Sequence, residues 1–285
     1  MELSLEDVRR RILIAMFSDD ELMESMVLKG GNALALVHEV GNRASVDMDF
    51  SIPTSFANIE DTTARVFRAL RIEFESVGYV IFDESFQPKP SQPHDRHPEW
   101  WGGYVVEFKI IEAALHAELR DDESALRRRS AVVGPMQRRI FKIDISKHEF
   151  CANKVRREIG DYTIYVYSLE MIAIEKLRAI CQQMPDYTIN SRRSPRARDF
   201  YDIHQIVRSN SIALASPENL ELCRCIFDAK RVPLALLGEI HRYRDFHEPD
   251  WPAVEISISG QHETYDFYFN QVVELASSLE ALWVK

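Results

Sequence analysis

The sequence predicts an α+β protein, with strands and helices mixed in the first half of the chain and mainly helices in the second. Apolar and polar residues alternate, as in half-buried strands, at 46–51, 104–111 and 140–146. After residue 168, apolar residues instead recur every three or four positions, as on one face of a helix. With 285 residues, 46% of them hydrophobic, the chain can form a substantial core in one large or two moderate domains.

Two helices are predicted to open the chain. Ser4 can cap the first, whose apolar residues Leu5, Val8, Ile12 and Met16 have helical spacing. A second, short helix is predicted at 21–26. Both precede the most informative stretch of the sequence.

That stretch runs from Leu28 to Phe50. Gly30 and Gly31 open a short apolar segment that is predicted to be a helix, and backbone N–H groups exposed at a helix start favour anions. Asp47 and Asp49 alternate with apolar residues on the strand that follows, so both are expected on one face. Two such carboxylates repel unless a cation or water separates them, and magnesium binds carboxylates together with substrate phosphates. Each pattern alone is more typical of a simple turn or of a solvated strand face.

The middle of the chain is predicted to alternate between helices and strands. The predicted elements are a helix at 59–77, a strand at 79–82, a proline-rich loop at 87–97, a strand at 104–111, a helix at 112–132 and a strand at 140–146. Glu107 and Asp144 are single acids within two of these strands.

The second half is predicted to be helical after one more strand at 163–167. Ser168 can cap a helix at 169–181, and Ser194 with Pro195 can start one at 196–207. Within the latter, Arg198 and Asp202 are spaced for an ordinary helix ion pair. Further helices are expected from Ser216, from Pro233 and at 263–283, with Phe267 in the core.

Composition excludes some classes of protein. A formal net charge of −10 argues against a protein that coats nucleic acid non-specifically. Arginines nevertheless concentrate between about residues 127 and 198, where they could form a local docking site or simply lie on solvated helix faces. No apolar run approaches the ~20 residues that cross a bilayer, and the acidic N-terminus is unlike a signal peptide, so a cytoplasmic location is expected. The four scattered cysteines are expected to pack rather than bind metal.

The glycine pair, the helix and Asp47-Met-Asp49 together resemble the signature of polymerase-β-type nucleotidyltransferases. The longer strings at 28–34 and 43–50, with Lys176-Leu-Arg-Ala179 and the segment 196–202, resemble more narrowly the AbiEii/AbiGii-type nucleotidyltransferase toxins. The resemblance implies a nucleotidyltransferase-type mixed sheet flanked by helices in residues 1–160. It also implies a mainly helical domain, residues 161–285, that completes the active site.

The resemblance further implies roles for individual residues. Asp47 and Asp49 would bind metal with a third acid from a neighbouring strand, for which Asp144 is our candidate and Glu107 the alternative. The expected catalytic residues are Asp47, Asp49, Lys176 and Asp199. The expected nucleotide-binding residues are Gly30, Gly31, Asn32, Arg43, Ser45 and Lys176. The expected acceptor-binding residues are Arg192, Arg193 and Arg196.

The activity implied by the resemblance is transfer of a nucleoside monophosphate from a nucleoside triphosphate to RNA. Transfer RNA is the favoured acceptor, magnesium the expected ion with manganese as a substitute, and a separate antitoxin the expected protein partner. No membrane partner is expected. Two alternatives stay open, namely transfer of a nucleotide or phosphate to a protein side chain, and an inactive nucleotidyltransferase fold that only binds.

Overall fold

The computed structural model describes residues 3–41, 47–91, 98–132, 137–190 and 192–284. The chain forms two compact units. The first comprises Met1–Asn32, Ser45–His148 and Lys154–Val166, and the second comprises Ala33–Ala44, Glu149–Asn153 and Tyr167–Lys285. The units therefore interleave along the chain, whereas the sequence prediction used a single division after residue 160.

A seven-stranded mixed sheet forms the centre of the first unit. Its strands are β1 Val27–Lys29, β2 Met48–Ser51, β3 Tyr79–Lys89, β4 Gly103–Glu112, β5 Phe141–Ser146, β6 Val155–Ile159 and β7 Tyr162–Val166. Their order across the sheet is β3-β4-β5-β2-β1-β7-β6. β2 runs parallel to β5, and β1 runs parallel to β7, while the other neighbours are antiparallel. The predicted mixed sheet is confirmed.

Helices flank this sheet in the first unit. They are α1 Leu5–Phe17, α2 Asp20–Ser25, α3 Gly30–Ala33, α4 Ile59–Glu75, α5 Ala113–Leu119 and α6 Glu123–Arg129. The ring of Phe17 on α1 lies 6.1 Å from that of Phe50 on β2, and the ring of Phe74 on α4 lies 5.8 Å from that of Phe108 on β4. The alternation of β2 and β5 thus buries one face and leaves the opposite face to polar side chains.

Local signals predicted the first helix correctly. Ser4 accepts a hydrogen bond from the backbone N–H of Asp7 at 3.1 Å, and the Asp7 carboxylate accepts one in return from the Ser4 backbone at 3.0 Å. This reciprocal cap fixes the start of α1.

Three predicted elements differ from the structure. β3 continues beyond residue 82 to Lys89, because an edge strand tolerates Pro88, whose nitrogen cannot donate. The helix predicted at 112–132 is two helices, since Asp122 caps a new one at Glu123. β6 was not predicted, because its exposed Arg156, Arg157 and Glu158 hide the strand pattern.

The second unit is helical, as predicted. Its helices are α7 Leu169–Cys181, α8 Ala197–Ser209, α9 Pro217–Asp228, α10 Arg244–His247, α11 Trp251–Ser257 and α12 Tyr265–Ser278, with a π-helix at Leu34–His38 and 3₁₀ helices at Leu234–Tyr243, Glu248–Asp250 and Glu280–Leu282. Ser168 caps α7 as predicted, and the helix predicted to start from Ser216 is α9, which Ser216 caps. Ser194 does not cap α8, which begins only after Arg196.

Burial in the second unit corrects one further prediction. Phe267 was expected in the core, but 38% of it is exposed. Its partly exposed ring lies 5.1 Å from that of His204 on α8, whereas the buried Phe200 of α8 packs its ring 5.3 Å from that of Phe269. Among the described residues, no helix combines the length and the apolar character that a membrane crossing requires.

Candidate active site

The polar face of the sheet brings two acidic residues together. Asp49 on β2 lies in register with Asp144 on the parallel neighbour β5, so both side chains project from the same face. Asp47 differs from the prediction, because β2 begins only at Met48 and Asp47 precedes the strand. The Asp47 carboxylate accepts a hydrogen bond from the Arg138 guanidinium at 3.2 Å in a partly exposed pair.

Asp144 is held by two lysines. Its Oδ1 lies 2.6 Å from the Nζ of Lys89, and its Oδ2 lies 2.8 Å from the Nζ of Lys142. Burial by itself would raise the pKa of Asp144, but the hydrogen bonds and charges of the two lysines outweigh it and lower that pKa below its usual value. Burial would likewise lower the pKa of Lys142, yet Asp144 raises it. Asp144 is therefore an ionised carboxylate that forms ion pairs with the ammonium groups of two lysines.

The strand order also bears on the choice between Asp144 and Glu107. β5 is the direct neighbour of β2, whereas Glu107 lies on β4, one strand further away and opposite Lys142. This placement favours Asp144 as the acid that acts with Asp49.

The first glycine of the pair lies directly against Asp49. Gly30 has a φ of +71°, and a Cβ added to it would lie 2.6 Å from Oδ2 of Asp49. A side chain at this position would therefore be strained and would collide with the carboxylate. Gly31 follows within the short helix α3, which continues as the π-helix rather than as the regular helix that was predicted.

Asn32 is fully buried, and both ends of its amide have protein partners. Its Nδ2 donates to the backbone carbonyl of Asp47 at 2.7 Å, and its Oδ1 accepts from Nη1 of Arg9 at 3.2 Å. Burial lowers the pKa of Arg9. These contacts give Asn32 a positioning role on the Asp47 backbone. The sequence provided no signal for the role of Arg9.

Lys29 is a second residue that the sequence analysis missed. It is only 7% exposed, lies opposite Asp49 in register, and donates from Nζ to Oγ of Ser146 at 3.3 Å. A lysine that ends the apolar strand Val27-Leu28-Lys29 was the available signal. The repulsion expected between the acids is thus moderated by cationic neighbours. These are Lys29, Lys89, Arg138 and Lys142.

The donor set suits magnesium in its chemistry. Two carboxylates from adjacent strands, completed by substrate phosphates and water, are a usual arrangement for this ion. In the parts of the chain that the structure describes, however, no three acidic, histidine or cysteine side chains converge closely enough to hold a metal ion. Asp49 and Asp144 therefore fit as a partial ligand set, with Asp47 turned toward Arg138. Two predicted nucleotide-binding residues, Arg43 and Ser45, lie outside the described residues.

The second unit contains a separate buried cluster of charges. The Nζ of Lys176 on α7 lies 2.9 Å from Oδ1 of Asp199 and 2.8 Å from Oδ2 of Asp202, both on α8. All three side chains are buried. The prediction for Asp202 was wrong, because its carboxylate pairs with Lys176 rather than with Arg198.

Asp199 has a further cationic partner. Its Oδ2 accepts from Nε of Arg196 at 2.6 Å, and the backbone N–H of Arg196 donates to Nδ1 of His247 at 3.0 Å. Burial opposes ionisation of Asp199, but Arg196 and Lys176 outweigh it and hold its pKa far below the usual range. Burial lowers the pKa of His247 to about 4, so this ring is neutral and accepts at Nδ1. A carboxylate so strongly stabilised is a weak base and is better suited to positioning.

The three arginines expected to bind the acceptor differ in exposure. Arg192 and Arg193 are exposed just before α8, and the backbone N–H of Arg192 donates to Asn190 at 3.2 Å. Arg196 is largely covered, and its guanidinium is committed to Asp199.

The chain is similar to one family of known sequences and to solved structures. A family model described as "Nucleotidyl transferase AbiEii toxin, Type IV TA system" matches residues 11–271. A crystal structure of a candidate nucleotidyltransferase from Helicobacter pylori superposes with a TM-score of 0.51 at 17% identity, covering 97% of this chain and 93% of the other. The crystal structure of JHP933 from Helicobacter pylori gives a TM-score of 0.49 at 18% identity, with 97% and 90% covered. No curated protein matches the chain.

Proposed function

The chain belongs to the AbiEii family of nucleotidyl transferase toxins of type IV toxin–antitoxin systems, and on this premise we propose that it uses magnesium to transfer a nucleoside monophosphate from a nucleoside triphosphate to RNA. Transfer RNA is the acceptor we favour. Family membership itself implies a nucleoside triphosphate substrate and an antitoxin partner. The observation that best supports the proposed chemistry is the in-register pair Asp49 and Asp144, with Gly30 against Asp49.

Nucleotidyl transfer requires positioning and charge neutralisation more than covalent chemistry from the protein. Bound magnesium would neutralise charge on the phosphate oxygens and lower the pKa of the attacking hydroxyl. Asp49 and Asp144 are the residues that would hold it, and Asn32 fixes the backbone that carries Asp47. Gly30 lets the turn where β1 ends and α3 begins pass directly against the Asp49 carboxylate, so a phosphate held by the backbone N–H groups of this turn would lie beside the metal site rather than between Gly30 and Asp49.

The acceptor is proposed to dock in part on Arg192 and Arg193. Both side chains are exposed, and arginine forms strong charge-assisted hydrogen bonds with phosphate. Arg196 is a weaker candidate than the sequence indicated, because Asp199 already holds its guanidinium at 2.6 Å. The roles of Lys176 and Asp199 in transfer stay predictions.

Incubation with labelled nucleoside triphosphates, magnesium and a cell lysate tests the proposal. We expect label in RNA, and no label with Asp49→Asn, which removes the charge while keeping the size of the side chain. Asp121→Asn is the matched control, because the Asp121 side chain is 93% exposed and distant in sequence from every proposed site residue. Unchanged urea unfolding of both variants would show that the loss of transfer is chemical.

Two results would contradict the proposal. Label in protein rather than RNA would support side-chain modification as the activity. Absence of label in every fraction, with intact triphosphate binding, would support a fold that binds without transferring.

A further inference from the structure

A pocket of about 480 Å³ opens on the polar face of the sheet. It is lined by residues of β4 and β5 and of the segment just before β5. These residues are Glu107, Lys109, Arg138, Arg139, Ile140 and Lys142. We call it the β4–β5 pocket. Four of its six residues are cationic and one is acidic, in a chain whose formal net charge is −10.

Local carboxylates compensate only part of this charge, since Arg138 pairs with Asp47 and Lys142 pairs with Asp144. Lys109 lies 2.7 Å from Asp83, but Asp83 is also bound by two nitrogens of Arg127, at 2.8 and 3.0 Å. Lys109 and Arg127 thus share the Asp83 carboxylate, although Arg127 also lies 3.4 Å from Glu123. The pKa of Asp83 falls to about 2, chiefly through its hydrogen bond from Arg127. Among the described residues, the Arg139 guanidinium donates to the backbone carbonyl of Ser130, which is neutral and does not compensate its positive charge.

The pocket is contiguous with the proposed catalytic acids. Lys142 also bonds Asp144, and Arg138 also bonds Asp47. In the strand order β4-β5-β2-β1, the pocket lies on the β4–β5 side of Asp49, whereas Gly30 follows β1 on the opposite side. The acids therefore lie between two sites suited to anions.

This order matches the requirement of the reaction. In nucleotidyl transfer the attacking oxygen and the leaving pyrophosphate lie on opposite sides of the α-phosphorus, roughly in line. If the glycine turn receives the triphosphate, the acceptor approaches from the far side of the acids. A cationic pocket on that side suits an acceptor that itself carries phosphates.

We propose that the β4–β5 pocket binds backbone phosphates of the RNA acceptor, next to the nucleotide that is modified. The inference rests on the proposed function and identifies where, on the first unit, the acceptor is held. Phosphate groups could also come from the triphosphate itself, so the test separates the two sources.

The test uses the full-length double variant Lys109→Gln/Arg139→Gln, which leaves Arg138 and Lys142 beside the acids. Arg156→Gln/Arg157→Gln removes the same charge from exposed positions on the edge strand β6 and is the matched control. Binding of a single-stranded RNA oligonucleotide and of bulk transfer RNA is measured by fluorescence anisotropy at several salt concentrations. Magnesium-dependent binding of each ribonucleoside triphosphate is measured by calorimetry.

We expect the pocket variant to bind RNA more weakly. For the oligonucleotide, the slope of the logarithm of the binding constant against the logarithm of the salt concentration should be flatter by about 1.4, because two phosphate contacts are lost at about 0.7 each. Triphosphate affinity and the control should be unchanged. Arg139→Lys, which keeps the charge, should retain most of the slope. Unfolding midpoints of all variants show whether each is folded.

Other results overturn the inference. An unchanged slope, while the wild type binds and labels RNA, would remove the pocket from acceptor binding and leave the proposed function intact. Loss of triphosphate affinity with unchanged RNA binding would assign the pocket to the donor. If the wild type labels protein instead of RNA, the proposed function itself fails, and the inference fails with it.

Discussion

Replacing Lys176 by Met tests the buried charge cluster of the second unit. The change keeps the length of the side chain but removes the ammonium that lies 2.9 Å from Asp199 and 2.8 Å from Asp202. Breaking a buried ion pair by removing one partner costs about 3–5 kcal/mol, because a charge is left buried without compensation. Since Arg196 still pairs with Asp199, we expect the lower part of that range.

The assay is urea unfolding at several pH values. The pKa of Asp199 is lowered in the folded state, so its contribution to stability is complete above the unfolded value of about 3.9 and declines as the pH falls below it. The difference in free energy of unfolding between wild type and Lys176→Met should therefore narrow below about pH 4.

A matched control comes from an exposed pair in the same unit. Arg224 lies 3.1 Å from Glu221, with 47% and 68% of the side chains exposed, so Arg224→Met should cost less than about 1 kcal/mol. An equally small effect of Lys176→Met, or an effect independent of pH, would refute the reasoning.

Two further predictions concern the glycine turn and the exposed arginines. Gly30→Ala should abolish transfer, because the added side chain displaces Asp49. The control is Gly78→Ala, where φ is a similar +81° but nothing lies within 4 Å of the added Cβ, so this variant should lose about 1–2 kcal/mol of stability through backbone strain and keep transfer. Equal transfer activity of the two variants would contradict this prediction. Reversing both charges with Arg192→Glu and Arg193→Glu should weaken RNA binding and spare triphosphate binding, with the salt slope flatter by about 0.9 per lost duplex contact or about 0.7 for a single strand. An unchanged slope with unchanged transfer would place the acceptor elsewhere.

The elements that the sequence predicted well depend on local interactions. Ser4, Ser168 and Ser216 each cap a helix through a backbone N–H three residues away, so their signals lie within one short segment. Alternation in β5 likewise identified the face that carries Asp144.

The environment of the acids could not be predicted in the same way. Lys29 meets Ser146, Lys89 meets Asp144 and Arg138 meets Asp47 across 117, 55 and 91 positions of the chain. Such contacts depend on strand order and register, which a single sequence does not determine. The carboxylates therefore looked uncompensated in the sequence, whereas the structure surrounds them with cations.

Asp202 shows the same limit in a helix. A local rule paired it with Arg198 at a spacing worth about 0.3–0.5 kcal/mol. The structure instead pairs it with Lys176, 26 positions away and buried. A buried partner on another helix outweighs an exposed one on the same helix, because a buried carboxylate without a cation is far more costly.

Calorimetric titration of a nucleoside triphosphate, with magnesium and then with a chelator, tests the central claim most directly. Two lysines already form ion pairs with Asp144. The measurement therefore asks whether these lysines or a metal ion neutralises the negative charge of the bound triphosphate. We predict binding that requires magnesium or manganese and is lost in Asp49→Asn. Equal affinity of the wild type with and without the chelator would contradict the account.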